Sequence, residues 1–246
     1  MMPAVVEFAN VTYAVGGRVV LCDFNLAVEE GETLVLLGRS GSGKTTALKL
    51  VNALLVPQRG EVRVEGKPTT KWDLVPLRRR IGYVIQEAGL FPHFTVEQNV
   101  ALVPSLEKWD AARTRARVEE LLARVGLPAA QFAARYPREL SGGERQRTGV
   151  ARALANDPPI LLFDEPFGAL DPVTRLDLQK HFLALREQLR KTALFVTHDT
   201  REALLLATRI ALLSQGSLVF TGTPREFRQS RLPEAQSFLE TVALPA

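Results

Sequence analysis

Residues Gly38, Arg39, Ser40, Gly41, Ser42, Gly43, Lys44 and Thr45 follow the spacing G-x-x-x-x-G-K-[ST], and Thr46 continues the run. Residues of these types handle phosphate. Glycines let the backbone curl so that its N–H groups face an anion, a helix N-terminus adds positive potential, and the Lys44 ammonium reaches the outer phosphates. The Thr45 hydroxyl would hold Mg2+. Further along, Ile160-Leu161-Leu162-Phe163-Asp164-Glu165 ends an apolar run in two carboxylates. Beside a phosphate loop, Asp164 would hold Mg2+ directly or through water, and Glu165, held extended because Pro166 follows, would polarise an attacking water. Taken alone, the same pair reads as a solvated acidic turn. In Leu140-Ser141-Gly142-Gly143-Glu144, Ser141 and Glu144 form an S-x-x-E capping box. Two glycines inside a cap are costly unless the backbone must be approached closely, so a second phosphate contact by Ser141 and the helix N-terminus is the other reading.

These residues need elements to hold them. The all-apolar run 33–37 leads into Gly38, and 44–55 has the helical spacing of Leu48, Val51, Asn52 and Leu55, giving strand, glycine loop and helix. The runs 160–163 and 193–196 have the unbroken Leu/Val/Ile/Phe character of parallel strands buried on both faces, each followed by a helical pattern. The opening, 5–32, is β-rich, with 19–21 and 24–28 reading as the strands of an antiparallel hairpin. Residues 109–155 are almost all helix formers, with Val118, Leu121, Leu122 and Val125 in one apolar stripe. We read 87–157 as a helical insertion into a core made of 1–86 and 158–246, the whole forming a single domain. A hairpin of 210–213 and 218–220 turns at Ser214-Gln215-Gly216, and Thr223-Pro224-Arg225-Glu226 is a capping box with Pro at the first helical position.

Composition narrows the class. The 246 residues are 46% hydrophobic and 24% charged, so the chain can build a core and is neither disordered nor collagenous. A single cysteine, Cys22, forms no internal disulfide, which suits a cytosolic compartment. No run approaches the roughly 20 apolar residues that span a bilayer, and the N-terminus lacks the layout of a secretory leader. The net charge of +4 is spread along the chain and reads first as a solvated surface. Three scattered histidines and one cysteine lack zinc spacing, with His93 and His181 reading as loop and helix-surface residues.

Together the phosphate loop, the 160–165 strand end and the unaltered Leu-Ser-Gly-Gly-Glu resemble the ATP-binding cassette ATPases over nearly the whole chain. That resemblance implies an α/β P-loop NTPase core with a mixed, mainly parallel sheet, an antiparallel β subdomain and an α-helical subdomain carrying the signature. It implies ATP and Mg2+, with nucleotide sandwiched between the phosphate loop of one copy and Ser141, Gly142, Gly143 and Glu144 of a second, head-to-tail copy. Tyr13 then looks like the aromatic that stacks on adenine. Gln86, ending a strand 81–85, resembles the glutamine that reaches Mg2+ and water, and Asp171, in Gly168-Ala169-Leu170-Asp171, resembles the residue that crosses between copies. His198, ending the strand 193–197, resembles the histidine that contacts the γ-phosphate, and the carboxyl end of a parallel strand is where ligands bind in such sheets.

A lone cassette without a spanning segment implies separate permease subunits, a solute-binding protein acting through them, and a peripheral place on the cytoplasmic face of the membrane; no nucleic-acid partner is expected. The stretch 78–109 and Asp-Glu-Pro-Phe-Gly-Ala-Leu-Asp-Pro-Val-Thr-Arg look most like importers of glycine betaine, choline and similar osmoprotectants. Importers of amino acids or other small solutes share the core motifs, and a soluble cassette protein without a transporter is the rival from another class. Leu90, Phe91, Pro92 and Phe94 form an apolar cluster suited to a membrane-subunit helix or to burial against the helical region. Only a short stretch follows Thr223, so a tandem regulatory module is not expected in this chain.

Overall fold

The computed structural model describes residues 4–168, 170–189 and 191–243. Ala169 of the 168–171 motif, and the first three residues read for a leader, lie outside them. The described residues gather into two compact units, one from 1–78 with 191–246 and the other from 79–190.

In the first unit, β1 (Ala4–Val15), β2 (Arg18–Glu29), β4 (Arg59–Val64) and β5 (Lys67–Pro68) form an antiparallel sheet in the order β2-β1-β4-β5. Here the hairpin expectation needs correcting: 19–21 and 24–28 are both parts of β2, and the turn at Gly16-Gly17 pairs that strand with β1. The break between them is a bulge. Val11 faces Phe24 but Tyr13 faces Leu21, so β2 carries one extra residue, and Asp23 takes a left-handed φ of 45° to absorb it. Phe8 and Phe24 meet edge to face, 5.1 Å apart, on the buried side.

A second sheet of this unit runs β10-β9-β3-β8, from β3 (Thr33–Gly38), β8 (Thr192–Thr197), β9 (Arg209–Ser214) and β10 (Ser217–Gly222). Parallel neighbours on both sides of β3 explain why all six of its residues are buried. The bidentate pair of Arg209 with Glu32 pins β9 beside the start of β3, at 2.6 and 2.9 Å. Helix α1 (Lys44–Val51) stops short of the expected residue 55, because Ala53 turns left-handed at φ 52° and the amides of Leu54 and Leu55 both bend back to the Lys49 carbonyl. Helices α2 (Leu74–Arg79), α8 (Thr200–Leu206), α9 (Pro224–Gln229) and α10 (Pro233–Ala243) complete the unit. The capping box of Thr223 with Glu226 forms as read.

The second unit holds two parallel strands, β6 (Ile81–Val84) and β7 (Ile160–Asp164), with α3 (Val96–Leu106), α4 (Ala111–Arg124), α5 (Ala129–Phe132), α6 (Gly142–Leu154) and α7 (Pro172–Leu189). Strand β6 ends at Val84, one residue before the expected end, because Ile85 already accepts the Ala88 amide of a turn. The stripe of Val118, Leu121, Leu122 and Val125 is buried. Asn99, wholly buried on α3, bonds the Phe91, Phe94 and Thr95 carbonyls and the Phe91 amide, so one side chain shapes the whole 91–95 loop.

Gly82 lets β6 press against α6: a Cβ there would lie 2.4 Å from the Ala153 carbonyl oxygen. Backbone cannot yield cheaply, so Gly82→Ala is expected to lower unfolding free energy by about 1–3 kcal/mol. Denaturant unfolding checks it, and an unchanged midpoint would contradict this packing.

Candidate functional site

The phosphate loop grows out of β3. Leu37 on β3 pairs with Thr197 on β8 in parallel register, so Gly38 and His198 leave the same carboxyl edge of neighbouring strands. Gly41 and Gly43 take φ of 79° and 106°, and Gly43 serves as the N-cap of α1 without a side-chain bond. A Cβ at Gly43 would meet Leu21 at 2.7 Å and the Val20 carbonyl at 2.9 Å, whereas none would obstruct Gly41. Lys44 is only 4% exposed, and its Nζ donates to the carbonyls of Gly38 at 2.8 Å and Arg39 at 3.0 Å. The Ser42 hydroxyl is buried with no protein hydrogen-bond partner, an arrangement that a bound polar group would complete.

Beside this loop lies a cavity of about 680 Å3. Arg39, Ser40, Gly41 and Ser42 form one wall, the tip of the β1–β2 hairpin with Val15 and Arg18 another, and Glu234, Ser237 and Phe238 of α10 a third. Tyr13 stands half-exposed on β1, opposite Leu21, and is not part of that wall. Arg18 and the α10 residues were absent from the sequence reading, since only the three-dimensional chain path brings them to the loop.

In the second unit, Val84 pairs with Phe163, so Gln86 and the acidic pair also leave a shared carboxyl edge. Tyr83 donates its hydroxyl to Asp164 Oδ2 at 3.2 Å. Burial first, then the Asp164 charge and this bond, push the Tyr83 phenol well above its ordinary range and keep it a donor. Glu165 is not extended as expected. It sits at φ 46° and its carbonyl accepts the Gly168 amide at 3.1 Å, so Pro166 is the second residue of a tight turn. That turn brings Gly168 to Gln86 and Glu165: a Cβ at Gly168 would lie 3.4 Å from Gln86 Nε2 and 3.8 Å from Glu165 Oε2.

Ser141 caps α6 reciprocally, its Oγ accepting the Glu144 amide at 3.3 Å while Glu144 Oε2 accepts the Ser141 amide at 2.6 Å. The exposed hydroxyl keeps its own hydrogen to donate. The two glycines differ. A Cβ at Gly143 would lie 2.4 Å from Thr174 Cγ2 of α7, so internal packing already requires that glycine. One at Gly142 would make only ordinary contact with Leu170. Asp171 caps α7, accepting the Val173 and Thr174 amides, and the Thr174 hydroxyl and amide hold its carboxyl below the usual range. Sequence reasoning also missed a stripe on α6: Gln146 donates to the Ile85 carbonyl, Gly149 faces Ala88, and Arg152 donates to the Ala88 and Gly89 carbonyls. Three residues at three-residue spacing thus grip the turn that carries Gln86; the polar-glycine-arginine pattern on one helix face was the available signal.

Comparison with known proteins adds a family. The family model described as ABC transporter matches residues 21–168. The osmoprotectant import ATP-binding protein OsmV of Salmonella typhimurium is 52% identical over 202 residues, 82% of this chain and 53% of its own length. The choline transport ATP-binding protein OpuBA of Bacillus subtilis is 47% identical over 228 residues, 93% of this chain and 59% of its own. This chain therefore spans little more than half the length of those relatives. The solved dimeric post-hydrolysis state of the ATP-binding cassette MJ0796, bound to ADP and Pi, aligns with a TM-score of 0.79 at 36% identity, covering 89% of this chain and 99% of that one.

The contrast between the two glycines is testable by unfolding. Gly143→Ala is expected to cost about 1–3 kcal/mol and to be largely rescued by Thr174→Ser, while Gly142→Ala leaves stability unchanged or raises it by up to about 1 kcal/mol. Equal losses at both positions would refute the assignment of Gly143 to packing.

Proposed function

Because this chain belongs to the ABC transporter family, we propose that it is the ATP-hydrolysing motor of an importer for an osmoprotectant of the glycine betaine or choline type. The observation that carries the ATPase reading is the phosphate loop itself, with its buried Lys44, its left-handed glycines and the partnerless Ser42 hydroxyl, leaving the same sheet edge as His198. The cargo follows the functions named for two relatives, osmoprotectant import and choline transport.

In this reading Lys44 and the amides of 39–46 hold the phosphates, and Tyr13 stacks on the base beside the hairpin. Thr45, Gln86 and Asp164 offer hydroxyl, amide and carboxylate oxygens, a hard donor set that suits Mg2+, and Tyr83 already orients the Asp164 carboxylate. Bound there, Mg2+ would supply charge neutralisation to the phosphates. Glu165 accepts the proton of the attacking water, and His198 donates toward the terminal phosphate. Ser141, Gly142, Gly143 and Glu144 complete the site from a second, head-to-tail copy, with Asp171 at the contact between copies. The solved MJ0796 cassette is dimeric, which supports that arrangement. No helix among the described residues is long and apolar enough to cross a membrane. We place the chain on the cytoplasmic face, bound to permease subunits, with Leu90, Phe91, Pro92 and Phe94 toward them; Phe91 is 41% exposed. A solute-binding protein would deliver the cargo to those permease subunits.

Glu165→Gln should slow Mg-ATP hydrolysis at least ~100-fold and trap an ATP-bound dimer, as expected for loss of a general base. Rapid turnover by this variant would exclude Glu165 as the base. Uptake of labelled glycine betaine and choline in salt-stressed cells should fall with the same substitution. Intact uptake alongside lost hydrolysis would leave the ATPase and reject the cargo.

A further inference from the structure

His198 sits between two tethered threonines. Thr197, the last residue of β8, donates its hydroxyl to the Glu202 carboxylate and accepts the Asp199 amide at 3.0 Å. Asp199 then caps α8, its carboxylate accepting the amides of Arg201 at 2.7 Å and Glu202 at 3.3 Å. These bonds tie the His198 segment to α8 and leave open what fixes α8.

Thr200, the first residue of α8, is 2% exposed. Its hydroxyl donates to the Phe238 carbonyl of α10 at 3.0 Å and lies 3.3 Å from Thr241 Oγ1, which itself donates to Phe238 at 2.6 Å. Thirty-eight residues of chain separate these partners, so the bond is a tertiary choice and not local helix chemistry. The same helix, through Glu234, Ser237 and Phe238, lines the cavity that Arg39 and Ser40 of the phosphate loop also line. Helix α10 therefore touches the surroundings of both functional segments of its unit. Ala235, wholly buried, seats it there.

We propose that Thr200 is a positioning residue for hydrolysis: through its bond to α10 it fixes the first turn of α8, and so the height of His198 above the carboxyl edge from which the phosphate loop also leaves. This rests on the ATPase reading. Without the bond, α8 can rock at its first turn, and a histidine two residues upstream spends less time in reach of a terminal phosphate. Binding of nucleotide depends on the loop and not on this turn, so the effect falls on turnover.

The test uses the full chain with Thr200→Val, which removes the donor at nearly constant volume, and Thr200→Ser, which keeps it. We expect Thr200→Val to lower kcat about fivefold, the size of one neutral hydrogen bond, with KM for Mg-ATP within twofold. Thr200→Ser should retain at least half of wild-type kcat. In a His198→Ala background the same Thr200→Val change should have no further effect, which a merely structural role would not produce. Amide hydrogen exchange over 198–206 should rise in Thr200→Val and not in Thr200→Ser, a readout that needs no catalysis. Wild-type kcat in Thr200→Val, an undiminished loss in the His198→Ala background, or unchanged exchange would each overturn the proposal. If the unmodified chain fails to hydrolyse Mg-ATP, the ATPase reading falls, while the exchange comparison still decides whether Thr200 fixes the turn.

Discussion

A buried ammonium sets the terms for the phosphate loop. Moving a lysine charge out of water without partners costs many kcal/mol, yet Lys44 is nearly inaccessible. The Gly38 and Arg39 carbonyls offset that cost by turning onto Nζ, which curls the loop around its own side chain. The curl needs left-handed backbone at Gly41 and Gly43, and the absence of a Cβ at Gly43 makes room for Leu21. Leu21 lies on β2 next to the bulge, the Cys22 amide donates to Gly216, and the Gly216 amide donates to Ser42. The hairpin, the β9–β10 turn and the loop are thus fitted to one another around a single charge.

Each unit by itself brings candidate site residues to the carboxyl edge of a parallel strand pair. The first holds the phosphate loop and His198 at the ends of β3 and β8, and the second holds Gln86, Asp164 and Glu165 at the ends of β6 and β7. In the second unit the capped helix α6 does two things with one face and one end: its N-terminus presents Ser141, and its Gln146, Gly149 and Arg152 grip the turn carrying Gln86. A shift of that helix is therefore mechanically felt at Gln86.

What could be read in advance was local. The phosphate loop, the capping boxes at Ser141 and Thr223, and the apolar strands 33–37, 160–163 and 193–196 are short-range patterns whose physics is complete within a few residues. The misreadings share the opposite character. Cys22-Asp23 looks like a turn because nothing nearby says that β1 will run alongside and absorb a bulge. Glu165 before Pro166 reads as extended until Gly168 closes the turn. Gly143 carries a packing constraint of the same distant kind, because Thr174, thirty-one residues on, lies against it. The grip of α10 on Thr200 had no local signature at all.

The left-handed backbone at Glu165 has a consequence for how such a chain can evolve. An L-residue with a side chain is held there at a cost of about 1–3 kcal/mol, and glycine would adopt the same turn freely. With Glu165 in the proposed role of base, a Glu165→Gly drift would make the fold firmer while deleting the carboxylate, so selection for robustness and selection for turnover would pull this one codon in opposite directions.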